Sequence, residues 1–178
     1  SKPKWLTTAQ KKEVYATTSG WVVKPGSAMT GNGDPTSQPE VLACVGNLTT
    51  LLGAATITDV EWITTTASKA AGINLQVRVR WNEFIDVANN PTLVVTNSVN
   101  ANHTLALASG SGNEYVFELE IPAADAATDA DDVLTIGAQN ILLPGGATMK
   151  DAGQTVVDAG VAISASQGTA AGSITVVA

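Results

Sequence analysis

The sequence predicts an all-β protein, an antiparallel β-sandwich preceded by an extended N-terminal arm that contains short strands. Two observations carry this prediction. Short apolar segments recur with frequent turn residues between them, which is typical of a sandwich. One segment, residues 73–81, also alternates strictly, with one apolar face formed by Ile73, Leu75, Val77, Val79 and Trp81. Because side chains alternate across a strand, one face of it should be buried and the other polar.

The composition supports the same fold class. Hydrophobic residues make up 44% of the 178 residues and charged residues only 14%, so a core can form without disulfides or metals. The strand candidates are residues 20–24, 40–45, 56–66, 73–84, 92–96, 103–108, 115–121, 133–136, 161–165 and 173–177. Residues 24–39 contain three prolines and three glycines and predict a long loop. A short helix is possible around residues 9–16.

The sequence pattern changes near residue 56, where strand candidates begin to recur regularly, and this change predicts two regions. Residues 1–56 form an N-terminal arm or small β region, and residues 57–178 form the sandwich. Up to residue 56 there are five lysines against three acidic residues, whereas the remainder has four basic residues against thirteen acidic ones. A basic arm on an acidic body suggests docking on another surface, although a solvated tail is as good a reading. The net charge of −7 argues against nucleic-acid binding.

Several motifs of the second region occur in a recognisable order. They are Val79–Glu83, Asn90–Val95, Ser109–Phe117, Asp129–Leu134 and Met149–Gly153. In this order and spacing, residues 57–160 resemble a bacterial immunoglobulin-like repeat of the kind found in surface adhesins. In that family the first motif reads Val-x-Phe-Ser-Glu, and here Trp81 and Asn82 replace its Phe and Ser. The resemblance implies that the sandwich is immunoglobulin-like.

The first region is similar instead to the start of small virion proteins of tailed bacteriophages, through residues 11–23 and 40–43. This resemblance implies a non-enzymatic capsid or tail decoration protein that displays an immunoglobulin-like module. Its partners would be the major capsid protein or other virion proteins, and homo-oligomers are expected on a symmetric particle. The start of the sequence has no apolar signal-peptide core and no run is long enough to span a membrane, so we expect virion assembly in the host cytoplasm. The alternative is a module of a bacterial adhesin that binds carbohydrate or protein.

Residues suited to catalysis are few, and we expect no enzyme and no cofactor. His103 is the single histidine and Cys44 the single cysteine, which leaves little material for a catalytic triad or a histidine metal site. Cys44 lies in an apolar run and is predicted to be a buried, inert thiol. No pair of acidic residues is well placed for glycoside hydrolysis, including Glu83 with Asp86 and Glu118 with Glu120.

The acidic segment 125–132 is the best metal candidate. Asp129, Asp131 and Asp132 could supply oxygen ligands to calcium, which would stiffen the turn. The spacing is not that of an EF-hand, and a solvated acidic turn is the favoured reading.

The aromatic residues of the arm are the candidate partner-binding residues. Trp5, Tyr15 and Trp21 are predicted anchors, because the arm offers little local core to bury them and exposed aromatic residues often mark protein interfaces. Trp81, on the apolar face of the alternating strand, is predicted to be the core tryptophan, and Trp62 should also pack inward.

Overall fold

The fold is known from a computed structural model that describes residues 1–31, 33–153 and 157–178. Within these residues the chain forms three short helices, which are α1 (Thr8–Lys12), α2 (Leu48–Leu52) and α3 (Ala165–Ala171), and a 3-10 turn at Pro144–Gly146. The strands are β1 (Val14–Thr17), β2 (Gly20–Val23), β3 (Glu40–Cys44), β4 (Ile57–Trp62), β5 (Ala67–Ser68), β6 (Ile73–Trp81), β7 (Ile85–Ala88), β8 (Thr92–Asn97), β9 (His103–Ser111), β10 (Glu114–Ile121), β11 (Val133–Thr135), β12 (Gln139–Asn140), β13 (Thr148–Asp151), β14 (Ala162–Ile163) and β15 (Ser173–Val177).

Most strands of the second region belong to one large sheet with the order β4-β6-β10-β9-β8-β11-β15-β5. Two smaller pairs, β12-β14 and β13-β7, complete the region. Nearly all pairings are antiparallel, but β15 and β5 run parallel. The prediction of an all-β, sandwich-like fold is therefore confirmed, with one parallel pair that the sequence pattern does not reveal.

The core of this region is built from the apolar faces of its strands. Trp81 and Phe117 are fully buried, and the Trp81 ring meets Tyr115 edge-on with ring centroids 6.0 Å apart. The indole nitrogen of Trp81 donates a 2.8 Å hydrogen bond to the carbonyl oxygen of Gly160, which satisfies its polar atom in the core. Trp81 is thus the core tryptophan, as predicted. Trp62 is partly buried against the same cluster.

Residues 1–31 and 33–56, which we call the N-terminal unit, are more compact than the predicted arm. Strands β1, β2 and β3 form a separate antiparallel sheet. This sheet has a small core of its own, made by Leu6, Val14, Ala16, Trp21, Val23 and Leu48. Alternation on the paired strands β1 and β2 places Val14, Ala16, Trp21 and Val23 on one face, and Leu6 and Leu48 pack against them. The region therefore folds as a small β unit.

Gly20 is essential to this small sheet. Its φ is +134°, and a Cβ atom at this position would lie 2.0 Å from the carbonyl oxygen of Ala43 on β3. Only glycine allows the two backbones to approach so closely.

Two helices differ from the sequence prediction. The expected helix at residues 9–16 ends at Lys12, because β1 begins at Val14; its start is fixed by a capping box of Thr7 and Gln10. The predicted strand 161–165 shrinks to β14 and is followed by α3. A second capping box, made by Ser164 and Gln167, is the sequence signal for α3 that the strand prediction overlooked.

Candidate functional site

The N-terminal unit is fixed to the sandwich at one end of β6. The backbone nitrogen of Ala16 donates a 2.7 Å hydrogen bond to the carbonyl oxygen of Asn82, and Ala16 and Glu83 form an isolated parallel bridge. The rings of Tyr15 and Phe84 stack with centroids 4.7 Å apart. The small sheet thus meets the large sheet at the end of β6, the second strand from one edge.

An ion-pair cluster joins the two parts beside this contact. The guanidinium of Arg80 on β6 binds three carboxylates, with 2.6 Å to Asp59, 2.7 Å to Glu61 and 2.7 Å to Glu114. Lys12 of the N-terminal unit reaches the same acids, 2.8 Å from Glu61 and 3.3 Å from Asp59. The polar face of β6 is therefore covered at its Arg80 end, where Arg80 is only 3% exposed, whereas Asn74 at the other end is exposed.

The cluster changes the titration of its members. Burial would raise the pKa of Glu61, but hydrogen bonds from Arg80 and Lys12 outweigh it and lower that pKa to about 2. Burial opposes the charge of Arg80, but its bonds to Glu61 and Glu114 raise its pKa further above its usual value. Lys2, which donates a 2.7 Å bond to the carbonyl oxygen of Lys11, has its pKa lowered to about 8, mainly by burial. The contact is thus a charged one, held in its ionised state near neutral pH.

A second polar group lies under the contact, at Glu83. This residue is fully buried, and its Oε1 atom accepts a 3.2 Å hydrogen bond from the Asn82 amide. Its Oε2 atom has no hydrogen-bond partner among the described residues. Burial, and then the negative charge of nearby Asp151, raise the pKa of Glu83 to about 7. Asp151, rather than the Asp86 considered from the sequence, is thus the acid that acts on the pKa of Glu83.

Of the three predicted anchor residues, one is exposed. Trp5 is 66% exposed, whereas Trp21 is only 5% exposed and Tyr15 is buried as well. The expectation that the arm has no core to cover them is wrong for both, because Trp21 belongs to the small core and Tyr15 packs on Phe84.

The outer strand of the small sheet, β3, presents an exposed edge. Its pairing partner is β2 on one side, and no described strand pairs with its other side. Val41 is 56% exposed, and Cys44 and Val45 are exposed too. The prediction that Cys44 is a buried thiol is wrong. A register shift in the β2–β3 pairing at Trp21 and Val22 breaks the alternation, so that Leu42 and Ala43 pack on the small core while Cys44 faces outward.

The acidic turn is organised by its own hydrogen bonds. The Asp132 carboxylate accepts bonds from the side-chain amides of Asn97 at 2.7 Å and Asn100 at 2.9 Å, and from the Asp129 backbone nitrogen at 2.9 Å. These bonds, with the backbone bond first, lower the pKa of Asp132. Asp129 forms an ion pair with Lys69, and Asp131 takes a positive φ of 71°.

The structure brings no metal cluster together at this turn. Across the described residues, no group of three or more His, Cys, Asp or Glu side chains could hold a metal ion. The oxygens of Asp132 and Asp129 accept hydrogen bonds or form an ion pair within the protein. His103 is buried, with its Nε2 atom 3.3 Å from the Thr128 hydroxyl, and burial lowers its pKa.

A groove of about 890 Å³ runs between the N-terminal unit and the hairpin of β9 and β10. Its charged side chains include Lys24, Asp86 and Glu114, and the ring of Phe84 lies at its wall. The lining that the structure describes includes neither histidine nor cysteine. A nucleophile activated by an adjacent imidazole, as in acyl-transfer enzymes, therefore has no counterpart among these lining residues.

Within the described residues, no helix has the length and apolar character that would let it cross a membrane. The sequence matches no protein-family model, no curated protein and no solved structure.

Sequence reasoning missed most of what the contact between the two regions contains. Arg80 could be placed on the polar face of its strand, but its burial depends on the N-terminal unit, which covers that face. Glu83 and Asp151 are 68 positions apart in the sequence, and their proximity follows from the pairing of β13 with β7. Before the structure, the sequence indicated these two residues only as members of two motifs that resemble the bacterial immunoglobulin-like repeat, Val79–Glu83 and Met149–Gly153.

Proposed function

We propose that this protein is a non-enzymatic structural protein of a tailed-bacteriophage particle, which decorates or cements the capsid or the tail. The N-terminal unit would bind a neighbouring virion protein, with the major capsid protein as the first candidate. The sandwich, which we propose to be immunoglobulin-like, would be displayed outward. The protein would occur in the virion, in several copies related by the symmetry of the particle.

One observation carries the proposal: the outer edge of β3 in the N-terminal unit is paired with no described strand. Exposed edges in natural proteins are usually protected by lysine, proline, bulges or short length. The pairing of β3 with β2 carries one register shift, but its sequence, EVLAC, contains neither lysine nor proline. Val41 on this strand and Val45 directly after it are exposed. Addition of a partner strand to such an edge is a common mode of recognition, in which the main chain supplies affinity and side chains supply specificity.

The same unit carries further exposed apolar side chains. Trp5 and Leu51 are 66% and 71% exposed, and exposed tryptophan is a frequent anchor at protein interfaces. Because the ion pairs of Lys12 with Glu61 and Asp59 hold the unit on the sandwich, a contact made by β3 would fix the whole molecule. Many copies on a lattice would add avidity to a contact that is weak for one copy.

Co-sedimentation with assembled capsids tests the proposal. The purified full-length chain is mixed with particles that lack it and centrifuged, and bound protein is quantified against free protein. A double variant, Val41→Asp with Val45→Asp, places charges on the edge and should weaken binding at least tenfold. The matched control is Val99→Asp, at a position that is 78% exposed on the sandwich, and it should bind as the unchanged protein does.

Two results would overturn the proposal. One is that the unchanged protein does not sediment with particles. The other is that the edge variant binds as well as the control. Binding to bacterial cell surfaces or their glycans without binding to particles would favour the alternative, a module of a bacterial adhesin.

A further inference from the structure

A pocket of about 370 Å³ lies between the start of the chain and strand β4. The charged side chains that line it are three lysines, Lys2, Lys11 and Lys12, and one acid, Asp59. All three lysines are partly buried, whereas Lys4, close by in the sequence, is exposed. Although the whole protein carries a net charge of −7, this pocket is cationic, and a cationic cleft attracts anions.

Hydrogen bonds hold the Lys2 ammonium in this pocket. Its Nζ atom donates a 2.7 Å bond to the carbonyl oxygen of Lys11 and a 3.4 Å bond to the Thr58 hydroxyl. The two acceptors come from α1 and β4, so this ammonium lies where the N-terminal unit meets the sandwich. Both acceptors are uncharged, and together they use two of the three ammonium protons. The third proton is left for a ligand.

The acid of the pocket does not balance its positive charge. Arg80 binds Asp59 at 2.6 Å, and Lys12 lies 3.3 Å from the same carboxylate. Within the part of the chain that the structure describes, neither Lys2 nor Lys11 forms an ion pair with a carboxylate, and the Lys11 ammonium has no hydrogen-bond partner. Two ammonium groups therefore share one pocket without a counter-ion of their own.

The repulsion between these charges affects the titration of Lys2. Burial, first, lowers the pKa of Lys2, which falls to about 8 although the Asp59 carboxylate opposes the change. The positive charges of Arg80 and Lys11 lower this pKa as well. An anion next to the two lysines would offset their repulsion and keep Lys2 charged.

We propose that this pocket binds a phosphate ion, held by the ammonium groups of Lys2 and Lys11. Charged donors form the strongest hydrogen bonds with phosphate oxygens. Near neutral pH, phosphate also carries a hydroxyl group that can donate to the Asp59 carboxylate, whereas sulfate has no such proton. A nucleic acid fits less well, because the acidic body of the protein would repel a long polyanion.

The bound ion would connect the two regions of the protein. Lys2 and Lys11 belong to the N-terminal unit, whereas Thr58 and Asp59 lie on β4 of the sandwich. Phosphate would therefore hold the N-terminal unit more firmly on the sandwich. This inference does not depend on what β3 binds.

Thermal unfolding of the full-length protein tests the site. The protein is dialysed into phosphate-free buffer at pH 7, below the pKa of Lys2, and unfolded with increasing sodium phosphate, sodium sulfate or NaCl at equal ionic strength. Because a ligand of the folded state raises stability by mass action, phosphate at about ten times its dissociation constant should raise the Tm by about 3–6 °C relative to NaCl. Sulfate is excluded from protein surfaces as phosphate is, so it controls for that general effect and should raise the Tm less.

Equilibrium dialysis against radiolabelled phosphate measures binding directly, and it should find about one ion per chain. Lys11→Gln is the decisive variant, because the Lys11 ammonium makes no bond within the described structure and its loss should not disturb the fold. It should weaken phosphate binding about tenfold, since it removes a charged donor. Lys2→Gln should weaken binding at least as much. The matched control is Lys4→Gln, which removes the same charge at an exposed position and should bind as the unchanged protein does.

Several results would overturn the proposal. They are a Tm that rises in phosphate no more than in sulfate, dialysis that finds no bound phosphate, and a Lys11→Gln protein that binds as well as Lys4→Gln. An equal loss of binding in Lys4→Gln and Lys11→Gln would show that only the overall charge matters, and this too would contradict the site. An oligothymidylate that displaces phosphate at lower phosphate-group concentration would mean that the pocket recognises nucleic acid instead. If Lys2→Gln does not fold, the comparison of Lys11→Gln with Lys4→Gln decides.

Discussion

Replacement of Arg80 should show how much the charge of its side chain, as distinct from its packing, contributes to the stability of the ion-pair cluster. Its guanidinium is 3% exposed and binds Asp59, Glu61 and Glu114 at 2.6–2.7 Å. Arg80→Met preserves most of the apolar stem but leaves three carboxylates without their shared cation. Removing one partner of a buried ion pair costs about 3–5 kcal/mol, so we expect the free energy of unfolding at pH 7 to fall by about that amount.

Urea unfolding followed by tryptophan fluorescence measures this loss. The control is Arg78→Met. Arg78 lies two residues before Arg80 on the same face of β6, its side chain is 30% exposed, and it pairs with Glu61 and Glu114 at 3.1 Å. Because a partly exposed ion pair contributes less than a buried one, the control should lose less free energy of unfolding than Arg80→Met, about 1 kcal/mol. An Arg80→Met protein that is destabilised no more than the control would refute the account of the cluster.

The same cluster predicts a pH dependence with a definite sign. The pKa of the Glu61 carboxyl is lowered in the folded protein from its ordinary value of 4.5 to about 2. An acid with a lowered folded pKa contributes stability that is fully present above pH 4.5 and is lost as the pH falls towards 2. The difference corresponds to at most about 3 kcal/mol, and to less because Glu61 is partly exposed. Arg80→Met should flatten this acid limb, and an unchanged limb would contradict the assignment.

Three further predictions concern the N-terminal unit. Gly20→Ala should unfold or loosen the small sheet, because its Cβ would clash with the Ala43 carbonyl, and loss of slow amide hydrogen exchange in β1–β3 would reveal this. Trp21→Ala should cost about 3–5 kcal/mol of unfolding free energy, whereas Trp5→Ala should change it by about 0.5 kcal/mol or less; equal effects in urea titrations would contradict the burial of these rings. Cys44 should react with a thiol reagent in the native protein at a rate near that of a free thiol, and reaction only after unfolding would contradict its exposure.

The sequence pattern predicts the large sheet well because its strands have one buried face. Residues 73–81 alternate over their whole length, and Ile73, Leu75, Val77, Val79 and Trp81 are all buried as expected. Strand β15 has the predicted bounds. Short strands such as β5 and β12 were not predicted, since two residues cannot display a period.

The N-terminal unit was harder to predict because its structure depends on contacts between distant segments. The small core needs Leu48 from α2 together with Trp21 from β2, and neither segment indicates the other. The exposure of Cys44 follows from a register shift, which period-two alternation does not foresee. Arg80 lies on β6 and Glu83 lies just after its end. Both are buried because the N-terminal unit covers this end of the strand, which the sequence pattern does not indicate.

Cross-linking from Cys44 tests the proposed edge contact most directly. Cys44 is the single cysteine and lies exposed on β3, so a photoactivatable maleimide labels this edge alone. A matched protein carries Cys44→Ser and Val99→Cys, with its label on the sandwich. On particles, illumination should join the Cys44 label to a virion protein and leave the Val99→Cys label free. Cross-links from the sandwich position, with none from Cys44, would contradict the claim that β3 binds the particle.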